Sequence, residues 1–456
     1  MGDRPTPVVR PGLRCLRIIV VALAATAGGA VAANIEPLGV APVWSAHPVG
    51  FALLTSGDHQ VVGFYDADRR LTVAVRSLDE RSWTLVPLPK QTGWDSHNYV
   101  ALAVDRDGFV HLCADMHVAP LVYFRSRHPL GEPFEPDSFE PLHRMTGDRE
   151  DRVTYPTFLH DAAGDLVFMY RDGSSGNGEQ ILDRYDGATR TWRRLLDAPL
   201  TSGTIDDESM NAYLHGPVKG PDGVFHLAWV WRDTPDCETC HDVCYARSPD
   251  LVRWERSDGT PLDLPITPRT CEVVDPVPVG GGLLNGLLAI GFDTAGRPVL
   301  SYHKYDDQGR SQVYAARREN GGWRIRQTSA EPGRLEFSGR GSLPLRAWIG
   351  PVRTAGDGTL EQNYLLPSGA GPWRIDAETL AAVGSTPDRH PIPTALDRVE
   401  SAWPGMQVNW QFDAGSTGDP ARRFLLRWET LGGNRDQPRP EPLPPPTMLR
   451  VIEIAD

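Results

Sequence analysis

Short apolar runs separated by glycine-containing turns recur along most of the chain. The runs are rich in β-branched and aromatic residues, which is typical of β-strands. Turns of one type precede four of the runs, at 105–108, 161–164, 220–223 and 293–296. Because their Asp and Gly residues tolerate the backbone angles of tight turns, the pattern predicts antiparallel hairpins. The turns follow one another at roughly fifty to seventy residues, the length of one four-stranded propeller blade and a loop.

Seven units of this kind can be counted along the chain. They span 61–89, 99–129, 155–196, 211–258, 287–328, 345–380 and 406–430. The count predicts an all-β fold, a seven-bladed β-propeller, with six or eight blades as the alternatives. The apolar segment 448–454 follows a proline-rich stretch and predicts a strand that completes the first or the last blade. We therefore expect residues 34–456 to form one propeller domain.

Composition and charge restrict the setting in which this protein works. The 456 residues include 45 Gly, 41 Pro and 13 Trp, as expected of a turn-rich β protein. Residues 1–33 combine arginines, a short apolar run and a small-residue end, which predicts an export signal; a retained membrane anchor is the alternative. The formal net charge of −13 argues against nucleic acid as a partner. We expect a secreted or periplasmic monomer that does not associate with a membrane after signal removal.

The segment 94–125 brings two histidines together. Two strand-like runs are joined by the turn at 105–108, and His97 and His117 stand at the ends opposite that turn. Because those ends of a hairpin lie side by side, the two imidazoles are expected on one rim of one sheet.

Other polar and aromatic residues are expected at the same mouth of the propeller channel. They begin or end the predicted inner strands of neighbouring units. The expected set is Asn98, Tyr155, Arg171, Tyr213, Trp231, Arg232, His303 and Lys304.

Several motifs resemble a known family. The spacing of His97 and His117, the Thr-Tyr-Pro step at 154–156, the strand end at 168–173 and the segment 241–246 resemble the BNR-repeat seven-bladed propellers of the ulvan-lyase and rhamnose–glucuronate lyase type. Those enzymes cleave the bond from rhamnose to O4 of glucuronic acid by β-elimination. The resemblance implies that His97, His117, Tyr155 and Arg171 are catalytic and that Tyr213 lines the pocket. An acidic polysaccharide is the implied partner, and no organic cofactor is implied.

The residue types suit this chemistry. A guanidinium binds a carboxylate through two parallel hydrogen bonds, so Arg171 is expected to neutralise the uronate. His117 and Tyr155 are the expected base and acid, in an order that stays open, and His97 is expected to orient one of them or bind the uronate. The remaining residues of the mouth are expected to bind substrate: Asn98, Tyr213, Trp231, Arg232, His303 and Lys304. The alternatives are a sialidase-like hydrolase, which needs two carboxylates, and a carbohydrate-binding propeller without catalysis.

A cluster of cysteines lies in the fourth unit. Cys237, His241, Cys244 and Cys271 are numerous enough and of the right types to bind a structural zinc ion. A disulfide in an oxidising compartment is the alternative.

Overall fold

The strands of this protein follow from its alternating apolar pattern and its short turns. The computed structural model describes residues 37–343, 347–366, 369–370, 373–385 and 396–454. The expected export signal, residues 1–33, lies outside them, as does the start of the sixth unit at Leu345. Among the described residues, no helix is both long and apolar enough to span a bilayer.

The strands are numbered in chain order. The first eleven are β1 (Leu38–Val43), β2 (Ala52–Ser56), β3 (His59–Tyr65), β4 (Arg70–Ser77), β5 (Thr84–Gln91), β6 (Ala101–Val104), β7 (Val110–Cys113), β8 (His117–Ala119), β9 (Tyr123–Ser126), β10 (Phe139–Leu142) and β11 (Val153–His160). The next eleven are β12 (Leu166–Ser174), β13 (Asn177–Asp186), β14 (Thr191–Arg194), β15 (Thr204–Ile205), β16 (Glu208–Ser209), β17 (Asn211–Lys219), β18 (Phe225–Arg232), β19 (Cys240–Ser248), β20 (Glu272–Asp275), β21 (Leu288–Phe292) and β22 (Pro298–Tyr305). The last ten are β23 (Ser311–Glu319), β24 (Gly322–Gln327), β25 (Trp348–Thr354), β26 (Leu360–Leu366), β27 (Gly369–Ala370), β28 (Trp373–Ile375), β29 (Ala382–Ser385), β30 (Met406–Phe412), β31 (Arg423–Leu431) and β32 (Thr447–Ile454). A 3-10 turn at Cys237–Thr239 precedes β19.

Within the described ranges, these strands form seven sheets of four or five strands and one two-stranded ribbon, β15–β16. We call the seven sheets blades 1 to 7 in the chain order of one strand from each, namely β2, β6, β11, β17, β21, β25 and β30. These strands pack against each other in neighbouring blades, as β2 does against β6 and β6 against β11. The contact of β2 with β30 joins the first blade to the last. This is the arrangement of a β-propeller.

The turns inside the blades have the conformation that their sequence suggests. In the turn of blade 2, the carboxylate of Asp105 accepts hydrogen bonds from the backbone N–H groups of Asp107 and Phe109, at 3.0 and 2.9 Å. Gly108 has a φ of 86°, which a residue with a Cβ adopts only with strain. The turn at Asp161 repeats these bonds, so the recurring motif builds the hairpins of successive blades.

Both ends of the described chain lie in blade 7. The strand order is β1-β32-β31-β30, so the C-terminal strand is held between β31 and the N-terminal β1. Leu449 and Ile452 of β32 are fully buried. A large apolar cluster joins side chains of blade 7 to those of blades 1 and 2. The sequence left open which blade the C-terminal strand completes, and it is the last.

Candidate active site

A cavity of about 490 Å³ opens where loops of blades 2 to 5 meet the segment before blade 6. Its polar lining includes His97, His117, Tyr155, Tyr213 and Arg232. These five of the ten residues expected to be catalytic or to bind substrate are therefore brought together at one mouth. A second cleft, of about 690 Å³, is lined by charged residues of blades 2 and 3 that pair with each other, such as Arg106 with Asp165 and Arg193 with Asp186.

The two histidines of the cavity share one carboxylate. Nδ1 of His97 lies 2.6 Å from Oδ1 of Asp95, and Nδ1 of His117 lies 2.5 Å from Oδ2 of the same residue. The two rings stack with their centroids 4.0 Å apart. Burial alone raises the pKa of Asp95, but the hydrogen bonds from His117 and His97 outweigh it and hold that pKa well below its usual range. Asp95 is ionised at neutral pH.

Each histidine reaches the cavity by a different local route. His97 lies in the loop before β6, where its backbone N–H donates to Asp95 over 2.9 Å. His117 does not continue the hairpin of blade 2 but begins β8, which pairs with β11 of blade 3. The change of sheet starts at Asp115, whose φ is 57°. The two imidazoles therefore meet between blades 2 and 3.

A loop from the far end of the chain supports this pair. Asp436 accepts hydrogen bonds from the backbone N–H of Ser96 at 3.1 Å and from that of Ser342 at 2.8 Å. Its Oδ2 lies 3.8 Å from Nδ1 of His97. Burial raises the pKa of Asp436, but His47, 3.5 Å away, and the backbone N–H groups of Ser96 and Ser342 hold that pKa well below its usual range. The segment that crosses to the closing strand thus ties His97 to the loop at 339–342 on the cavity wall.

Tyr155 stands beside the histidines in a strained backbone conformation. Its φ is 56°, and the pairing of β11 with β12 shifts register between Thr154 and Thr157. Such a bulge redirects a side chain, here into the cavity. The Tyr155 ring lies 5.6 Å from the His97 ring and 6.0 Å from the Tyr213 ring. Burial, reinforced by Tyr213 and opposed by Arg171, raises the pKa of Tyr155 well above its ordinary value, so its phenol keeps its proton.

Arg171 lies behind the tyrosines and does not line the cavity. Its side chain is fully buried, and its Cζ lies 4.8 Å from the Tyr155 ring centroid and 5.5 Å from that of Tyr213. Nη1 and Nη2 have no hydrogen-bond partner within the described residues. The expectation that Arg171 offers its guanidinium directly to a substrate carboxylate is not met, because the two phenol rings cover it.

Two other arginines line the cavity. Arg232 is largely buried; its Nη1 donates to the Tyr213 hydroxyl at 3.2 Å, and its Nε donates to the carbonyl of Thr234 at 3.1 Å. Arg340 lies on the loop at 339–342, where its backbone carbonyl accepts a hydrogen bond from Nη1 of Arg435 at 3.0 Å. Its side chain is exposed and forms no hydrogen bond or ion pair with the described residues. Arg340 is thus the cavity cation with a free guanidinium. It lies 169 positions beyond Arg171, and the sequence held no motif that pointed to it.

Four of the residues expected to bind substrate face elsewhere. Asn98 is buried and donates to Thr92 over 3.2 Å. Trp231 is fully buried in the core of blade 4, so the expectation that it stacks on sugar rings is wrong. His303 is buried, with Nδ1 donating to the Gly282 carbonyl at 2.5 Å, and Lys304 is paired with Asp275 at 2.6 Å. All four side chains are used for packing or hydrogen bonding within or between blades. The alternation of side chains along a strand does not indicate which of its two faces is used in this way.

The four expected zinc ligands do not converge. The Sγ atoms of Cys244 and Cys271 lie 3.6 Å apart, but Cys237 lines the cavity and His241 is paired with Asp233 and Asp242. Among the described residues, three potential metal-binding atoms lie within 4.8 Å of one another at Asp95, His97 and His117. The physical reason is that Cys244 and Cys271 pack in the apolar cluster of blades 3 and 4, whereas Cys237 packs in a separate cluster with residues of blades 5 and 6. The structure therefore does not bring the four expected ligands to one point, and a zinc ion held by them stays a prediction.

Comparisons with known proteins show the family of this chain. A model described as "BNR repeat-containing family member" matches residues 59–331, more than half of the chain. The chain belongs to this BNR-repeat family. Its curated relatives include the long isoform of ulvan lyase from Alteromonas sp. (strain LOR), 25% identical over 219 residues, which cover 38% of this chain and 21% of the relative. The corresponding protein of Pseudoalteromonas sp. (strain PLSV) is 29% identical over 133 residues, 27% of this chain and 13% of the relative. The matched segments thus span about a fifth or less of these relatives.

Solved structures share the fold of this BNR-repeat protein over nearly its full length. The polysaccharide lyase Uly1 superposes with a TM-score of 0.60 at 15% identity, covering 92% of each chain. A PL25 ulvan lyase bound to -[GlcA(1-4)Rha3S]- superposes with a TM-score of 0.56 at 13% identity, covering 87% of this chain and 97% of the other. The expected all-β propeller fold and the family resemblance are confirmed.

Proposed function

We propose that this protein is a polysaccharide lyase that cleaves the bond between a rhamnose and O4 of a glucuronic acid by β-elimination. The observation that carries the proposal is the convergence of two imidazoles and a protonated phenol on one cavity. The relatives named ulvan lyase support this substrate class, as does the related structure that holds a glucuronate–rhamnose sulfate unit. The substrate is then an acidic polysaccharide or oligosaccharide.

Elimination requires a base at C5 and an acid at O4 of the uronate. Burial keeps the phenol of Tyr155 protonated, so Tyr155 is assigned as the acid that donates to the leaving oxygen. The base is then an imidazole of the stacked pair, His97 or His117. The C5–H bond breaks, its electrons form the C4–C5 double bond, and the C4–O4 bond breaks as O4 takes the proton from Tyr155.

The carboxylate next to C5 must also be neutralised, because its charge opposes carbanion formation. Arg340 is suited to this role, since its guanidinium is exposed in the cavity wall and has no ion-pair partner within the described residues. Arg171 acts from behind the rings, where its charge steadies the phenol of Tyr155 as the proton leaves.

A hydrolase is less well supported. Glycoside hydrolysis commonly uses two carboxylates that flank the scissile bond. In the part of the chain that the structure describes, no Asp or Glu lines the cavity. The lining instead carries Arg232 and Arg340, which suit an anionic sugar.

The direct test is to incubate the purified protein with ulvan and record the ultraviolet absorbance of an unsaturated uronate. A rise in absorbance together with new reducing ends supports the lyase. New reducing ends without absorbance would show hydrolysis, and binding with neither signal would show a carbohydrate-binding propeller; either result overturns the proposal.

A further inference from the structure

We infer that Asp95 is a positioning residue that fixes the tautomer of both His97 and His117, so that both present Nε2 as a proton acceptor. This inference rests on the proposed function for its catalytic consequence, but the tautomers are measurable without substrate. Asp95 was not among the residues singled out from the sequence, and it does not itself line the cavity.

The hydrogen-bond chemistry leaves one arrangement for neutral rings. An ionised carboxylate only accepts hydrogen bonds. Each oxygen of Asp95 takes one imidazole nitrogen, Oδ1 with Nδ1 of His97 at 2.6 Å and Oδ2 with Nδ1 of His117 at 2.5 Å. Both Nδ1 atoms must therefore carry the proton. In the neutral rings the lone pair is then on Nε2, at the far side of each ring from Asp95.

Every group packed around Asp95 agrees with this assignment. The backbone N–H of His97 also donates a hydrogen bond to Oδ1, which further stabilises the ionised form of the carboxylate. The second carboxylate nearby, Asp436, lies 3.8 Å from Nδ1 of His97, and also accepts rather than donates. Nε2 of His47 lies 3.5 Å from Asp436, and the Tyr155 ring lies 5.6 Å from the His97 ring. Stacking at a centroid distance of 4.0 Å keeps the two rings nearly parallel.

The arrangement has a consequence for catalysis. A ring locked with a free Nε2 is ready to remove the C5 proton, whereas the opposite tautomer presents N–H and cannot. Asp95 thus holds two imidazoles in the acceptor form at neighbouring positions, although the sugar ring offers one acidic C5 proton. The second acceptor is free to bind a substrate hydroxyl, which orients the sugar for the first.

Asp95→Asn tests the inference sharply. An amide of nearly the same shape has one acceptor oxygen and one donor nitrogen, so one of the two rings must turn its Nδ1 into an acceptor and carry the proton on Nε2. In protein with ¹⁵N-labelled histidine, we expect two rings of the Nδ1–H tautomer before the change and one of each tautomer after it. Because a general base contributes about 10²–10⁴-fold, kcat should fall within that range while KM changes little.

Two further variants separate positioning from general damage. Asp115→Asn makes the same change in the same segment, on a carboxylate that pairs with Lys90 at 2.7 Å, and should leave the tautomers and kcat unchanged. Asp95→Glu keeps two acceptor oxygens, so it should keep both tautomers and restore part of the lost kcat.

The outcomes are distinct. Two Nδ1–H rings in Asp95→Asn, or an equal loss of kcat in Asp115→Asn, would overturn the inference. If Asp95→Asn does not fold, the nitrogen spectra of the unaltered protein still test the inference, because an Nε2–H tautomer at either histidine contradicts it. Absence of lyase activity in the unaltered protein would overturn the proposed function. The nitrogen spectra would still test whether Asp95 fixes the two tautomers, because they do not depend on activity.

Discussion

The functional side chains of the cavity are held in place by charged groups that contact them from the side away from the cavity. Tyr155 has a strained backbone conformation and stands against the buried guanidinium of Arg171. His97 and His117 stand on one carboxylate. Each of these three side chains therefore rests on a supporting group that does not line the cavity, which is how active sites hold functional groups in place.

The phenol of Tyr155 is expected to be essential for turnover and dispensable for binding. Tyr155→Phe should lower kcat by about 10²–10⁴-fold with little change in KM, because the acid at O4 is lost. Tyr99→Phe is the matched control, since the Tyr99 hydroxyl donates to the Pro156 carbonyl at 3.1 Å outside the cavity. Steady-state kinetics on ulvan measure both. Full activity in Tyr155→Phe would remove Tyr155 from the mechanism.

Arg340 is expected to bind the uronate carboxylate. Arg340→Ala should lower kcat/KM by about 10–100-fold, since a hydrogen bond to a charged group contributes about 1.5–3 kcal/mol. Arg340→Lys should retain only part of the kcat/KM of the unaltered protein, because lysine cannot form the bidentate hydrogen bonds of a guanidinium. Arg334→Ala changes an exposed arginine just before this loop, outside the cavity lining, and should have no effect. An unchanged kcat/KM in Arg340→Ala would show that Arg340 does not neutralise the uronate.

His303 is expected to make the protein sensitive to acid. Burial lowers its pKa from 6.5 to about 4, so the unfolded chain binds this proton more readily than the folded one. The contribution of neutral His303 to the free energy of unfolding is complete above pH 6.5 and decreases as the pH drops towards 4. At pH 5 the decrease is about 2 kcal/mol. Denaturant unfolding at pH 7.5 and pH 5 should show a smaller loss for His303→Gln than for the unaltered protein. An equal loss would mean that His303 does not carry this effect.

At the scale of elements, one irregular residue in a strand decides what the cysteines can do. Cys244 packs with Trp229 and Trp231 in one apolar cluster, whereas Cys240 packs in another. The two lie four positions apart on β19 and would share a face in a regular strand. The bulge at Asp242 separates them.

Removal of metal is therefore expected to leave the fold intact. Dialysis against a chelator should not change the thermal midpoint, because Cys237, His241, Cys244 and Cys271 do not converge on one point. Differential scanning calorimetry before and after dialysis measures this. A fall of several degrees that zinc restores would show that the ligands do gather around an ion.

At the scale of the whole molecule, the two ends of the described chain complete one blade. The strand β32 has β31 on one side and β1 on the other, and β1 leads along the chain into β2 of blade 1. Separation of blades 1 and 7 therefore requires β32 to lose its pairing with β1. The inward side chains of β32 belong to the apolar cluster that spans blades 1, 2 and 7. Closure of the ring therefore depends on this strand.

Truncation of a closing side chain should weaken the entire propeller. Leu449 is fully buried, so Leu449→Ala is expected to lower the free energy of unfolding by about 2–5 kcal/mol. Met448→Ala, at an exposed neighbour on the same strand, should cost much less. Chemical denaturation monitored by tryptophan fluorescence compares the two variants. Equal small losses would mean that the closing strand is not stabilising.

The sequence by itself determined the strands, their turns and the approximate units, because alternation and turn chemistry act over a few residues. It also predicted that His97 and His117 lie close together, although His117 reaches the cavity from the sheet of blade 3 and not as the end of the hairpin. It did not reveal Asp95 as their shared partner, although the motif Trp-Asp-Ser-His at 94–97 was the available signal.

Only the tertiary structure decided which face of each strand packs on the next blade. That choice buried Trp231 and His303, covered Arg171 with two phenol rings, and carried Arg340 to the cavity from a distant loop. It also selected the last blade for the closing strand. The physical reason is that these outcomes depend on contacts between residues far apart in the chain, whose balance no local pattern of polar and apolar residues records.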